Sequence, residues 1–186
     1  MKKYVFLLSA AFSFLCANGI DTESVKVEFE GYKTSEMVGT KGVFKTGKFM
    51  FGKDNSSISS QLKNAKAVLS TKDIDMHDDN GIITTNIVQT FFEVLNANSN
   101  IHVSFENVVE GKDMGVITAK VTIGKESDLV PMTYKINDGK LVAKGDLDLH
   151  AFKNSSKALK ALSDVAPGHK GISWPLVEIV FSADMK

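Results

Sequence analysis

The chain has 186 residues with 22 basic and 22 acidic side chains, so its formal net charge is +0 at pH 7. This balance excludes a general electrostatic attraction to nucleic acid or to anionic lipid surfaces, and we expect no nucleic-acid partner. The length fits one domain that can bury a sizeable core.

The N-terminus has the pattern of an export signal. A basic start, Met1-Lys2-Lys3, precedes a run over residues 4–15 that is apolar apart from two serines. That run is too short to span a bilayer as a helix, and small residues follow it. We therefore predict a signal peptide over residues 1–19, a periplasmic location and a mature domain over residues 20–186. The only cysteine, Cys16, falls within the predicted signal.

From Ile20 onward, apolar and polar residues alternate in short runs separated by turn residues, which is typical of an all-β barrel or sandwich. The pair Asp138-Gly139 predicts a tight hairpin between two of these runs. The alternation predicts eight strands, at residues 25–29, 42–51, 58–70, 101–109, 115–124, 130–136, 141–149 and 174–185.

Two segments have helical periodicity instead. Residues 81–95 carry two adjoining apolar stripes, one with Ile83, Ile87 and Phe91 and the other with Val88, Phe92 and Leu95. Residues 157–162 form a shorter helical pattern that ends before Pro167-Gly168. A helix with two apolar stripes, followed by a two-faced strand, predicts a helix packed against a curved sheet.

The alternation alone leaves open which way the barrel faces and whether its interior is hollow. A membrane barrel needs girdles of Tyr and Trp, and this chain has three Tyr and one Trp, which favours a barrel that is not inserted in a membrane. The 12 Phe and seven Met fit either an ordinary packed core or the lining of a site for flexible apolar ligands.

Several motifs, taken in order, resemble the YceI-like family of periplasmic, polyisoprenoid-binding proteins. Residues 20–29 are similar to its first strand, and Phe91-Phe92-Glu93-Val94 is similar to its Phe-Phe-Asp motif. The chain departs from the family at Asp79-Asn80, where an Arg-Asp pair is common, and at the Asn-rich loop 96–100, which replaces a Tyr-Pro. The other matching segments are Val38-Gly39-x-x-Gly42-x-Phe44, residues 71–75, residues 115–125 and Val177-Glu178-Ile179.

This resemblance implies an eight-stranded antiparallel lipocalin-like barrel with short helical insertions and a deep apolar channel. It implies binding of one long apolar amphiphile, of polyisoprenoid or fatty-acyl type, without catalysis. It leaves open whether the protein forms a homodimer. The predicted channel residues are Phe29, Phe44, Phe91, Phe92, Val103, Phe105, Ile117, Val121, Met132, Tyr134, Leu147, Ile179 and Phe181.

Two other classes of function remain as alternatives. A packed barrel would make the protein a structural or stress-related interaction protein without a lipid. An enzyme would act on a lipid headgroup through loop residues such as His77, Asp78 or His169. No histidine pair has metal-ligand spacing and no nucleophile or phosphate-binding motif occurs, so we predict no metal, no catalytic residue and no cofactor apart from a bound lipid.

Overall fold

The computed structural model describes residues 19–95 and 100–186. Most of the predicted signal peptide and the Asn-rich loop at 96–99 lie outside these residues. The strands are β1 (Lys26–Lys33), β2 (Val38–Phe44), β3 (Gly47–Met50), β4 (Lys66–Ser70), β5 (Ile74–Asp75), β6 (Asn100–Glu110), β7 (Met114–Ile123), β8 (Glu126–Asn137), β9 (Lys140–Asp148) and β10 (Ser173–Asp184).

All ten described strands form one antiparallel sheet in the order β3-β4-β6-β7-β8-β9-β10-β1-β2-β5. The all-β class is confirmed, whereas the predicted count of eight strands is wrong. The predicted strand over residues 42–51 is divided at Lys45 and Thr46 into β2 and β3, and the short β5 pairs with the end of β2. Because β3 is the first strand of the order and β2 the last but one, yet the two follow each other in the chain, the sheet curves strongly, which is consistent with a lipocalin-like barrel.

The predicted strand over residues 58–70 is also only partly correct, because its first half is a helix. Ser57 caps this helix, α1 (Ile58–Leu62), in a reciprocal capping box with Ser60, and the strand β4 begins only at Lys66. The predicted hairpin at Asp138-Gly139 is confirmed. Both residues have positive φ, as a type I′ turn requires, and β8 pairs with β9 on either side of them.

The two predicted helical segments are present and lie over the open side of the sheet. The first consists of α2 (Ile82–Asn86), a π-helix (Ile87–Phe92) and α3 (Glu93–Leu95). The second is α4 (Ser155–Val165), which packs against the π-helix, α3 and β10. Short 3₁₀ turns at Leu149–Ala151 and Pro167–His169 flank α4.

The π-helix is a local departure from the regular helix that the periodicity predicts. A wider turn reduces the angle between consecutive side chains, and here the neighbours Phe91 and Phe92 are both buried, with ring centroids 5.2 Å apart. Residues before them, such as Ile82 and Ile83, are exposed. The packing of two adjacent phenylalanines against the sheet therefore coincides with the change in helix type.

The first described residues and the end of the chain are held together. The Gln61 side chain pairs with both backbone groups of Ile20, accepting from its N–H at 2.7 Å and donating to its carbonyl at 3.1 Å. Ile20 forms a bridge with Met185, and Lys186 forms an ion pair with Asp21 at 3.0 Å. The N-terminal segment is thus fixed by buried polar pairing as well as by packing.

Candidate functional site

An apolar cavity of about 380 Å³ lies between the concave face of the sheet and the two helical segments. Its walls include aromatic pairs from different elements, such as Phe29 with Phe44 at a centroid distance of 5.4 Å and Phe105 with Phe181 at 5.4 Å. The interior of the fold is therefore partly hollow. A partly hollow interior is one of the two possibilities that composition left open, the other being a packed core.

Most of the predicted channel residues lie on this cavity wall. They come from β1, β2 and the strands β6 to β10, and from the π-helix. The strand residues among them share the inward face that the alternation predicts. The predicted residues that line the cavity are Phe29, Phe44, Phe91, Phe92, Val103, Phe105, Val121, Met132, Leu147, Ile179 and Phe181.

Two predicted residues, Ile117 and Tyr134, do not line the cavity. Both side chains are fully buried and belong to the packed core, where β7 and β8 pair closely. A β-carbon at Gly115 would lie 2.5 Å from the Tyr134 ring, so this end of the barrel is filled by side chains. Alternation predicts which face a residue points to, but not how far along the barrel the hollow part extends.

The Tyr134 hydroxyl has no hydrogen-bond partner of normal geometry among residues 19–95 and 100–186. Burial, together with the carboxylate of Glu110, raises the pKa of Tyr134. We expect Tyr134→Phe to leave amphiphile binding unchanged and the free energy of unfolding unchanged or higher by up to about 1 kcal/mol, because no bond is lost. Urea denaturation and a ligand titration would measure this. Weaker binding would contradict the assignment of Tyr134 to the packed core.

Several lining residues were missed by the sequence analysis because they lie on α4 and on the segment that follows it. Leu159, Leu162 and Val165 line the cavity from α4, and Pro167, His169 and Trp174 line it from the following loop and β10. The helical pattern of α4 could have indicated its apolar face, but its position over the cavity depends on tertiary packing. The exposed Lys160 forms an ion pair with Asp164 at 2.7 Å.

The cavity reaches the surface where its lining residues are exposed, at Ile82 and Ile83 on α2 and at the end of α4 with the residues after it, including Val165, Pro167 and Gly168. We call Lys33, His169, Ser173 and Trp174, which line the opening at the end of α4, the mouth. The Trp174 indole N–H donates to the Thr34 carbonyl at 2.7 Å. This bond attaches the start of β10 to the residue that follows β1, and it therefore holds these two strand ends together at the mouth.

A chain of short polar contacts crosses the mouth. Ser163 Oγ lies 3.0 Å from the Leu159 carbonyl and 2.7 Å from Ser173 Oγ, which lies 2.7 Å from His169 Nδ1. All three contacts are hydrogen bonds only if Ser163 donates to Leu159, Ser173 donates to Ser163, and His169 Nδ1–H donates to Ser173. Burial and the nearby Lys33 ammonium lower the pKa of His169, so this imidazole is neutral at pH 7.

Asp78, one of the loop residues considered for catalysis, holds the start of α2. The Asp78 carboxylate accepts hydrogen bonds from the Ile83 N–H at 2.6 Å and from the Thr84 hydroxyl at 2.5 Å, at the start of α2. Burial alone would raise the pKa of Asp78, but the hydrogen bonds from Thr84 and Ile83 outweigh it and hold that pKa low. Within residues 19–95 and 100–186, no three His, Cys, Asp or Glu side chains are placed to share a metal ion.

No family model matches the sequence, and no curated protein matches it. Solved structures do. The crystal structure of Burkholderia cenocepacia BcnA is 18% identical, with a TM-score of 0.58 over 88% of this chain and 97% of that chain. A Campylobacter jejuni YCEI protein is 15% identical, with a TM-score of 0.55 over 100% of this chain and 99% of that chain.

These neighbours confirm the resemblance to the YceI-like proteins as a likeness of fold. The curved antiparallel sheet with its covering helices therefore has the fold of the YceI proteins. In the part of the chain that the structure describes, none of the helices is long and apolar enough to cross a membrane.

Proposed function

We propose that this protein is a YceI-like carrier that holds one long apolar amphiphile, of polyisoprenoid or fatty-acyl type, in its internal cavity. It acts after export to the periplasm, and it binds its ligand without catalysis. The observation that carries this proposal is the apolar cavity of about 380 Å³, which is lined by phenylalanines from strands and from the π-helix. A packed structural barrel, the second candidate, would have side chains in that space.

The size of the hydrophobic effect supports binding without covalent chemistry. Burying each methylene gains about 0.8 kcal/mol, so ten buried carbons gain about 8 kcal/mol, which corresponds to a Kd of about 1 μM. The cost of immobilising the chain reduces this gain. A polar anchor for the headgroup would offset part of that cost.

Native mass spectrometry of the protein purified from a periplasmic extract tests the proposal directly. We expect a species heavier than the apoprotein by the mass of one amphiphile, and we expect organic solvent to extract that molecule. The same spectrum reports whether residues 1–19 have been removed. A protein that is empty on purification, and that binds neither prenyl nor acyl probes when these are added, would contradict the proposal.

A further inference from the structure

The inward face of β1 changes from apolar to charged as it approaches the mouth. Val27, Phe29, Gly31 and Lys33 alternate onto this face and line the cavity, and the neighbouring Glu28 and Tyr32 also border it. Lys33 is the last residue of the strand and is half-buried, and its Nζ lies 4.0 Å from the point where a β-carbon on Gly168 would be. The apolar wall therefore ends in a cation at the opening.

The other donor groups of the mouth are already bound to protein. The Trp174 N–H donates to the Thr34 carbonyl. The Ser173 hydroxyl donates to Ser163, and the His169 Nδ1–H donates to Ser173, so neither proton is free to bind a ligand. Lys33 differs, since within residues 19–95 and 100–186 its ammonium has no carboxylate within 4.0 Å and no hydrogen-bond acceptor. Lys144, which also lies on a strand, does have such a partner, since its ammonium lies 2.8 Å from a Glu178 carboxylate oxygen.

We propose that the mouth is an anionic headgroup site, in which Lys33 binds a carboxylate or phosphate attached to the apolar chain in the cavity. This inference rests on the proposed function and adds the chemistry of the ligand's polar end. A cation that is half-buried without a counter-charge is unfavourable, and an anion at the mouth supplies that charge. The polar contacts of Ser163, Ser173 and His169 hold the wall beside Lys33 in place, because Ser173 pairs with Lys33 across β10 and β1.

An anionic headgroup should bind at the mouth more tightly than a neutral hydroxyl. Since His169 is neutral at pH 7, Lys33 contributes the positive charge of the mouth, and hydrogen bonds to ions are stronger than those between neutral groups. The site is partly open to solvent, which weakens the attraction. We therefore expect a preference of about tenfold for the anion, at the low end for a charged hydrogen bond.

The test uses three probes with the same alkyl chain, namely decanoate, decyl phosphate and decanol. Trp174 is the only tryptophan in the chain and lines the mouth, so its fluorescence reports occupancy. We expect both anions to bind the wild-type protein about tenfold more tightly than decanol. Lys33→Met, which keeps the apolar stem, should remove this preference, so that the anions bind the variant no more tightly than decanol does.

The matched control is Lys26→Met, on the same strand but exposed and outside the cavity wall. It should retain the wild-type preference. Equal binding of decanol and the anions to the wild-type protein would overturn the headgroup assignment while the proposed function stands. Inorganic phosphate that binds as tightly as decyl phosphate would overturn it too, since the site would then take a free anion. Failure of all three probes would overturn the proposed function and this inference together.

Discussion

Gly31→Leu is expected to weaken amphiphile binding at least tenfold while leaving the protein folded. Gly31 lies on the cavity wall, and a β-carbon built there meets no atom within 4 Å. Its backbone is not in the left-handed region, so a larger residue is compatible with the strand. A leucine side chain would fill part of the cavity, and we expect affinity for decanol or decanoate to fall at least tenfold, because several buried methylenes are displaced.

The stability of this variant separates blockage from unfolding. Replacing a strand glycine at a compatible position is neutral or stabilising by about 0.4–1 kcal/mol, so the melting temperature should not fall. A graded series of Ala, Val and Leu at position 31 should reduce binding progressively. Thr133→Leu adds the same side chain on the exposed face of β8 and serves as the control. Undiminished binding by Gly31→Leu would mean that the ligand does not occupy this cavity.

Phe105→Asp is expected to unfold most of the protein at room temperature. The Phe105 ring is buried and packs edge-on against Phe181 with a centroid distance of 5.4 Å. Removing a buried phenylalanine ring costs about 3–5 kcal/mol, and placing a carboxylate there adds a desolvation cost. The sum approaches the whole stability of a domain of this size. Circular dichroism and a urea titration would measure the loss.

His102→Asp provides the comparison for this variant. His102 lies on the same strand, β6, but its side chain is exposed. Introducing a carboxylate there should change the free energy of unfolding by less than about 0.5 kcal/mol. If Phe105→Asp melted like the wild-type protein, residue 105 would have to face solvent, and the inward face assigned to β6 would be wrong.

The strand part of this fold is predictable from the sequence because alternation is a local signal. The long strands β6 to β10 and their inward residues follow from it, including Val103, Val121 and Phe181 on the cavity wall. The errors occur where local signals are weak. The two-residue β5 has no pattern of its own, and α1 begins with the apolar Ile58, which also fits a strand.

The extent of the cavity was harder to predict for a different reason. Tyr134 and Phe105 have the same inward orientation, yet one lies in the packed core and the other on the cavity wall. This difference depends on which side chains fill each level of the barrel, and that is a property of tertiary packing. The mouth was missed because Lys33, His169 and Ser173 come together only when β1 and β10 pair.

The pairing of Gln61 with Ile20 limits how far the N-terminus can be shortened and where an affinity tag can be attached. Gly19 lies against this amide, since a β-carbon there would be 2.6 Å from Gln61 Oε1, and its carbonyl accepts from Lys186 at 2.9 Å. A chain shortened to begin at Asp21 would lose this pairing, and an affinity tag joined directly at Ile20 would crowd it. Expression plasmids should therefore keep Gly19 and place any tag beyond a spacer.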